Sequence, residues 1–356
     1  MTNTRFAARR EKLRRLMHAK GLDALLVSLD ANRFYLSGFE LQDHQVNESS
    51  GCLLLTKDGK DWLCTDGRYY DAAKRLWDPE RVFIYGANPA HAIGELARDK
   101  THGTVGFEES AMNVKFFKAF AENLTLENAD GLVEELRMIK EPEEIERMEE
   151  AAALNHKLME WLPGSLTVGA TEEDLAWAVE RFFRENGAQS LAFPCITAVG
   201  PNAALPHAVP GTDRIRENSC VLVDVGCRVK DYCSDQTRTF WVGDRPTDAF
   251  MTTLSQVRTA QEKAIAAIRP GVSALDVYAV ARNYLESQGV SDRFTHGLGH
   301  GIGLQTHEGP SLNPRNATVL RPGMVVTVEP GLYYPEWGGV RWEYMVLVTE
   351  SGGRIL

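Results

Sequence analysis

No stretch of roughly 18 apolar residues occurs in the chain, so none of its helices is expected to span a membrane. Positive charge is short as well: 39 Lys and Arg stand against 49 Asp and Glu, a formal net charge of -10. That balance argues against the basic face which a nucleic-acid duplex or an anionic membrane requires. The first fifteen residues are basic but carry no apolar signal core, and these absences together predict a cytoplasmic protein. None of the six cysteines (Cys52, Cys64, Cys195, Cys220, Cys227, Cys233) belongs to a C-x-x-C pair. A zinc ribbon or redox dithiol is therefore not expected, and free thiols are. Cys227 and Cys233 lie near two aspartates of interest below but read as small buried hydrophobes. Familiar motifs are missing too. His307-Glu308-Gly309-Pro310-Ser311 lacks the second histidine of H-E-x-x-H, and the glycines of residues 296–303 miss the spacing of dinucleotide and phosphate loops.

What is present is an ordinary globular composition, 44% apolar and 25% charged over 356 residues, enough for two domains. Residues 1–137 alternate helical and strand patterns: a helix over 4–20, strands at 23–28, 52–56, 61–65, 82–85 and 104–107, with Asp58-Gly59 supplying a hairpin turn. This reads as a small α/β domain. Near Lys140-Glu141-Pro142 the texture changes, and a long acidic helix is expected over 143–162. Five of the nine histidines fall in the second half, 138–356, four of them between His207 and His307. A repeat is also visible at an offset of 102 residues, matching Thr171, Asp174 and Gly187 to Ser273, Asp276 and Gly289. Two N-capped amphipathic helices closed by glycine predict a duplicated unit, hence a pseudo-symmetric domain with a cleft between its halves.

The chemistry collects there. Asp224 follows an aliphatic run, and Asp235 opens the next strand eleven residues later, so a hairpin can set the two carboxylates side by side. Paired ionised carboxylates repel and need a cation or a shared proton. The segment His296-Gly297-Leu298-Gly299-His300-Gly301-Ile302-Gly303 is too glycine-rich for a helix and presents imidazoles on a bare backbone. Glu329 ends a buried aliphatic strand before Pro330-Gly331, and period two over 340–348 puts Arg341 and Glu343 on one face. Asp224, Asp235, His300, Glu329 and Glu343 thus offer four carboxylates and one imidazole, more charge than one divalent ion neutralises. The set predicts two ions, its oxygen-rich donors with one nitrogen fitting Mn²⁺, Co²⁺ or Fe²⁺ better than they fit a thiolate-rich zinc site, and with them hydrolase chemistry.

These residues resemble those of the pita-bread-fold metallopeptidases, in particular the Xaa-Pro branch of aminopeptidase P and prolidase. The resemblance extends to Gly200-Pro201-Asn202-Ala203-Ala204-Leu205-Pro206-His207, to Ser234-Asp235-Gln236-Thr237-Arg238-Thr239, to Glu329-Pro330-Gly331 and to Val340-Arg341-Trp342-Glu343. In the first half Asn32-Arg33-Phe34-Tyr35-Leu36-Ser37-Gly38-Phe39 and Asp66-Gly67-Arg68-Tyr69-Tyr70 resemble a creatinase-type N-terminal domain. It implies an α/β (α+β) chain, a creatinase-like domain over 1–137 followed by a pita-bread catalytic domain over 138–356. It implies two divalent ions, most often Mn²⁺ (Co²⁺, Fe²⁺ or Zn²⁺ being possible), with Asp224 on one, His300 and Glu329 on the other, and Asp235 and Glu343 bridging. A bridging hydroxide would attack the carbonyl before proline, with Glu329 moving the proton. His207 and His307 would stabilise the tetrahedral intermediate and protonate the leaving nitrogen. His296 and Arg341 would line the proline subsite.

Within the branch, the expected activity is Xaa-Pro aminopeptidase, with Xaa-Pro dipeptidase (prolidase) as the alternative and a non-catalytic pita-bread binding protein as a distant one. A dipeptidase needs a cation for the proline carboxylate. Some prolidases carry Arg just after His-Glu-x-Pro, where this chain has Ser311, and Arg315 is the nearest arginine. The expected partners are peptides with proline at the second position and a second copy of the chain, residues 39–48 forming a loop that reaches the partner's cleft.

Overall fold

The computed structural model of the protein describes residues 4–43 and 48–356. The chain divides into two compact units, the first ending at Arg137 and the second spanning Met138–Leu356.

In the first unit the strands are β1 (Ala24–Val27), β2 (Cys52–Thr56), β3 (Trp62–Thr65), β4 (Val82–Ile84), β5 (Thr104–Phe107) and β6 (Thr125–Asn128). The helices are α1 (Thr4–Ala19), α2 (Asp30–Ser37), α3 (Tyr70–Leu76), α4 (Pro89–Lys100), α5 (Val114–Ala121) and α6 (Leu132–Met138). The strands form one mixed sheet in the order β4-β3-β2-β1-β5-β6. Its centre is β1, whose Ala24-Leu25-Leu26-Val27 is buried on both faces, as a central strand covered by helices must be. The expected hairpin is β2–β3, turned at Gly59 with φ +80°. The segment expected to reach a partner follows helix α2. Its first residue, Phe39, is wholly buried, and residues 44–47 lie outside the described residues.

The second unit contains α7 (Pro142–Trp161), α8 (Glu172–Glu185), α9 (Asp248–Ala267) and α10 (Ala274–Ser287). Its first strands are β7 (Ser190–Leu191), β8 (Ile196–Val199), β9 (Ser219–Val225), β10 (Cys227–Val229), β11 (Tyr232–Cys233) and β12 (Gln236–Val242). Then come β13 (Gly299–Gly301), β14 (Glu308–Leu312), β15 (Val325–Val328), β16 (Gly331–Tyr334), β17 (Gly338–Arg341), β18 (Tyr344–Thr349) and β19 (Gly352–Ile355). Helix α7 opens with Pro142 at its first turn and a reciprocal Glu141–Glu144 capping box. The internal repeat is real down to its hydrogen bonds. Thr171 caps α8 and bridges to Arg214, and Ser273 caps α10 and bridges to Val319, so each helix begins on the same antiparallel strap.

The two halves supply separate sheets, β12-β9-β8 and β14-β13-β15-β18-β19. In β9, Val221, Val223 and Val225 enter the core under α7 and α8, whereas Cys220 and Leu222 enter the one under α9 and α10. Burial on both faces explains the unbroken aliphatic run, and alternation puts Asp224 on the Leu222 face. The strand expected over 340–348 is broken at Trp342-Glu343 into β17 and β18. All six cysteines are free and buried.

Candidate metal centre

Every residue singled out above as ligand, catalytic or substrate-binding lines one cavity of about 450 Å³: Asp224, Asp235, His300, Glu329, Glu343, His207, His307, His296 and Arg341. Asp224 comes from β9, and Asp235 precedes β12, the strand paired to it through Thr237↔Asp224. His300 sits in β13, Glu329 directly follows β15, and Glu343 occupies the break between β17 and β18. That break keeps Arg341 and Glu343 in the same cavity, as straight alternation would. The alternating glycines around His300 have a steric cause. A Cβ on Gly299 would lie 2.0 Å from the Thr327 carbonyl, and one on Gly301 would lie 2.0 Å from that of Gly309. Only bare backbone lets β13 approach its neighbours that closely.

Each half contributes a threonine that orients a glutamate. Thr237 Oγ1 donates to Glu343 Oε2 at 2.8 Å, and Thr327 Oγ1 donates to Glu329 Oε1 at 3.1 Å. The Thr237 hydroxyl also accepts from Arg341 Nε at 3.2 Å, and that of Thr327 accepts from the His300 amide at 3.0 Å. Arg341 is buried and its other donors are committed: Nη2 to Asp224 Oδ2 at 2.7 Å, Nη1 to the Tyr333 hydroxyl at 2.9 Å and to the Pro206 carbonyl at 3.2 Å. His296 Nδ1 faces the Gly297 carbonyl at 2.7 Å and therefore donates, so Nε2 accepts from the Tyr333 hydroxyl at 2.8 Å. With both ring nitrogens used, His296 can offer a substrate only its ring face. Burial, with Arg341 next to it, pushes its pKa down to about 4, so that face is neutral.

The donor set fits divalent cations. His300 Nδ1 contacts the Gly301 carbonyl at 3.0 Å and carries the proton there, which leaves the Nε2 lone pair 3.4 Å from Glu329 Oε1 and 3.6 Å from Asp235 Oδ2. Burial lowers the His300 pKa, so these contacts are not an ion pair. A lone pair facing carboxylate oxygens is repulsive until a cation sits between them. Asp224 Oδ1 and Glu343 Oε1 are buried with no hydrogen-bond partner. Asp235, His300 and Glu343 present ligand atoms all within 4.8 Å of one another. Burial and the neighbouring carboxylates raise Asp235 and Glu343 well above the ordinary range, and burial lifts Glu329 to about 7. Crowded carboxylates with unpartnered lone pairs are the donor set that a polynuclear oxygen-rich metal site requires.

His207 and His307 face the same space, the His307 ring 4.3 Å from that of His300. Burial and the two neighbouring imidazoles lower the His307 pKa. Arg315 is exposed and is not part of the cavity wall, so it is not placed to clamp a substrate carboxylate there. The remaining wall is largely apolar, with Phe193, Ile196, Pro206 and Val209. Sequence reasoning missed Tyr333 and Thr327. Both sit at alternate positions from Glu329 on either side of the Pro330-Gly331 corner, a signal that was available only once that corner was known to face the site.

The chain matches the signature of metallopeptidase family M24 over residues 146–350 and that of the Creatinase/Prolidase N-terminal domain over residues 9–139. A Xaa-Pro dipeptidase of Pyrococcus furiosus is 33% identical, the alignment covering 98% of this chain and 97% of that protein. Among solved structures, a Xaa-Pro dipeptidase from Bacillus anthracis superposes with a TM-score of 0.91 at 32% identity, covering 98% of this chain and 97% of that one. An X-Pro aminopeptidase from Thermotoga maritima superposes with a TM-score of 0.87 at 30% identity, covering 97% and 96%. The creatinase-type first domain, the pseudo-symmetric second domain and the metal-ready cavity have one family in common: the chain belongs to metallopeptidase family M24 and is a hydrolase of peptide bonds.

Proposed function

We propose that the protein is a Xaa-Pro dipeptidase, with residues 1–137 as its creatinase-like domain and 138–356 as its catalytic domain. Dipeptidases predominate among the named relatives, and this supports the alternative weighed above more than it supports aminopeptidase P. The observation that carries the reading is the cavity where Asp224, Asp235, His300, Glu329 and Glu343 converge with unpartnered oxygens and a neutral imidazole lone pair.

Two divalent ions, Mn²⁺ by our reading, would be held by Asp224, Asp235, His300, Glu329 and Glu343. When bound they supply Lewis acidity and a water that is nucleophilic at neutral pH. The protein's own residues do the rest. Glu329 takes the proton of the attacking water. His207 and His307 face the carbonyl oxygen as it gains charge and pass that proton on to the leaving nitrogen, which must be protonated to depart as an amine. The His296 ring forms an apolar wall for the pyrrolidine, and Arg341 holds Asp224 in place.

One observation favours the aminopeptidase reading. Arg341 is the cavity's only Arg or Lys among the described residues, and its donors are taken by Asp224, Tyr333, Pro206 and Thr237. No spare arginine or lysine of the cavity meets a free proline carboxylate, so a dipeptide would gain nothing from such a clamp over a longer peptide. Metal-stripped protein assayed with and without Mn²⁺ on matched Xaa-Pro and Xaa-Pro-Yaa peptides separates the two. Metal-dependent cleavage of the dipeptide alone is the expected result, and faster cleavage of the tripeptide would replace it with the aminopeptidase reading. No helix among the described residues is long and apolar enough to cross a membrane, and a cytoplasmic homodimer is the setting we propose.

A further inference from the structure

The two glutamates of the cavity leave the sheet at one place. Strands β15 and β18 pair antiparallel, and their ladder ends at Val328↔Tyr344. Beyond that pair Glu329 turns toward Pro330 on one side, and Glu343 turns toward Trp342 on the other. The carbonyls just before them, those of Val328 and Trp342, therefore point out of the ladder. Both are met by one side chain. Gln261 Nε2, from the buried face of α9, donates to the Val328 carbonyl at 2.8 Å and to the Trp342 carbonyl at 2.8 Å. A primary amide has two hydrogens on its nitrogen, one for each acceptor, and Gln261 is only 2% exposed, so no water competes.

On their amide side the same glutamates are tied to different halves of the domain. Glu329 N donates to the Leu298 carbonyl at 2.8 Å, next to β13, and Glu343 N donates to the Thr237 carbonyl at 3.1 Å, in β12. Without a tie on the carbonyl side, the two segments could part where their carboxylates most repel each other. We infer that Gln261 is a positioning residue that fixes the spacing of Glu329 and Glu343 and so the geometry of the dinuclear site. This rests on the metal reading given above. Gln261 lies in a helix interior with no motif around it, and touches neither substrate nor ion. It acts through two backbone carbonyls.

The test uses metal-stripped full-length protein titrated with Co²⁺ alone, followed by calorimetry and by the visible absorption of the bound ion. Gln261→Met removes both donors at similar volume, and Gln261→Asn keeps them but is one methylene too short to span both carbonyls. Val257→Ala, one turn earlier on the same buried face, softens the core without touching either carbonyl. The expected result is that wild type and Val257→Ala bind two Co²⁺ alike. Gln261→Met should bind about ten- to a hundredfold more weakly with shifted absorption bands, as loss of an orienting partner does, and Gln261→Asn should fall between. If Gln261→Met does not fold, Gln261→Asn against Val257→Ala carries the same reading. Unchanged affinity and bands in the Gln261 variants would overturn the inference, and so would an equal loss in Val257→Ala. Wild type that takes up no Co²⁺ would remove the metal reading itself, and this inference with it.

Discussion

Arg341 and Asp224 show how much of this site is decided by single side chains. Their buried 2.7 Å pair uses one oxygen of Asp224 and leaves the other without a partner, so the aspartate is oriented but not satisfied. Away from the site, Glu108 is a buried carboxylate with a different fate. It accepts from the Ser28 and Leu29 amides and the Asn32 side chain, each at 2.6 Å, where the chain enters α2. Burial still dominates and raises its pKa from 4.5 to about 7. The folded state therefore holds a proton that the unfolded chain gives up above pH 4.5. Stability falls as pH rises through the interval between the two values and is lower by a constant amount above pH 7. The shift of 7 minus 4.5 corresponds to about 3 kcal/mol at most. Urea unfolding at pH 5, 6, 7 and 8 should show a shallower decline for Glu108→Gln than for wild type, from a lower baseline because an NH₂ would face the Asn32 donor. Parallel curves would mean that Glu108 is ionised throughout.

At the scale of elements, β13 and the corner after β15 decide where the ligands stand. A Cβ at Gly299 would meet the Thr327 carbonyl at 2.0 Å, whereas one at Gly297 would meet the Leu312 carbonyl at 3.3 Å and the Asn313 Cβ at 3.5 Å. Gly299→Ala should thus force β13 off β15 and cost about 2 kcal/mol or more, with most of the activity. Gly297→Ala, two residues earlier in the same motif, should stay within about 1 kcal/mol of wild type. Chemical denaturation and peptidase assays of the pair check this, and equal losses would show that the close approach of β13 to Thr327 is not what requires glycine at residue 299. The motif was legible in the sequence because chemistry imposed its residue types: carboxylates after aliphatic runs, imidazoles among glycines. The elements were legible wherever a cap or a turn residue marked them, as at Thr171, Ser273 and Asp58-Gly59. What could not be read was tertiary. The break at Trp342-Glu343 has no local signal, because alternation continues across it. Gln261 looks like any polar residue of a helix until two strand ends are placed beneath it. Arg315, near in sequence to His307, proved exposed because the chain after β14 leaves the cavity.

For the molecule as a whole, the proposed ligands are divided between two sheets that share no ladder: Asp224 and Asp235 belong to the β9–β12 pair, and His300, Glu329 and Glu343 to the sheet of β13, β15 and β18 or its margins. In the folded chain these groups repel across the interior, and the unfolded chain separates them. Ions that bind only the folded arrangement stabilise it by mass action, about 2.7 kcal/mol at a hundred times the dissociation constant. For a unit of this size that corresponds to a rise in melting temperature of roughly 5–10 °C. Adding Mn²⁺ to the stripped protein should therefore raise its melting point by that order. Hydrogen exchange should slow chiefly at the ends of β9, β12, β13, β15 and β18, where the two halves would be joined through the ions. The β1–β6 sheet holds none of the ligands, so its amides should exchange at their former rates. Protection centred on residues 24–128, or a melting point indifferent to Mn²⁺, would mean that the cavity's carboxylates are relieved by protons rather than by metal.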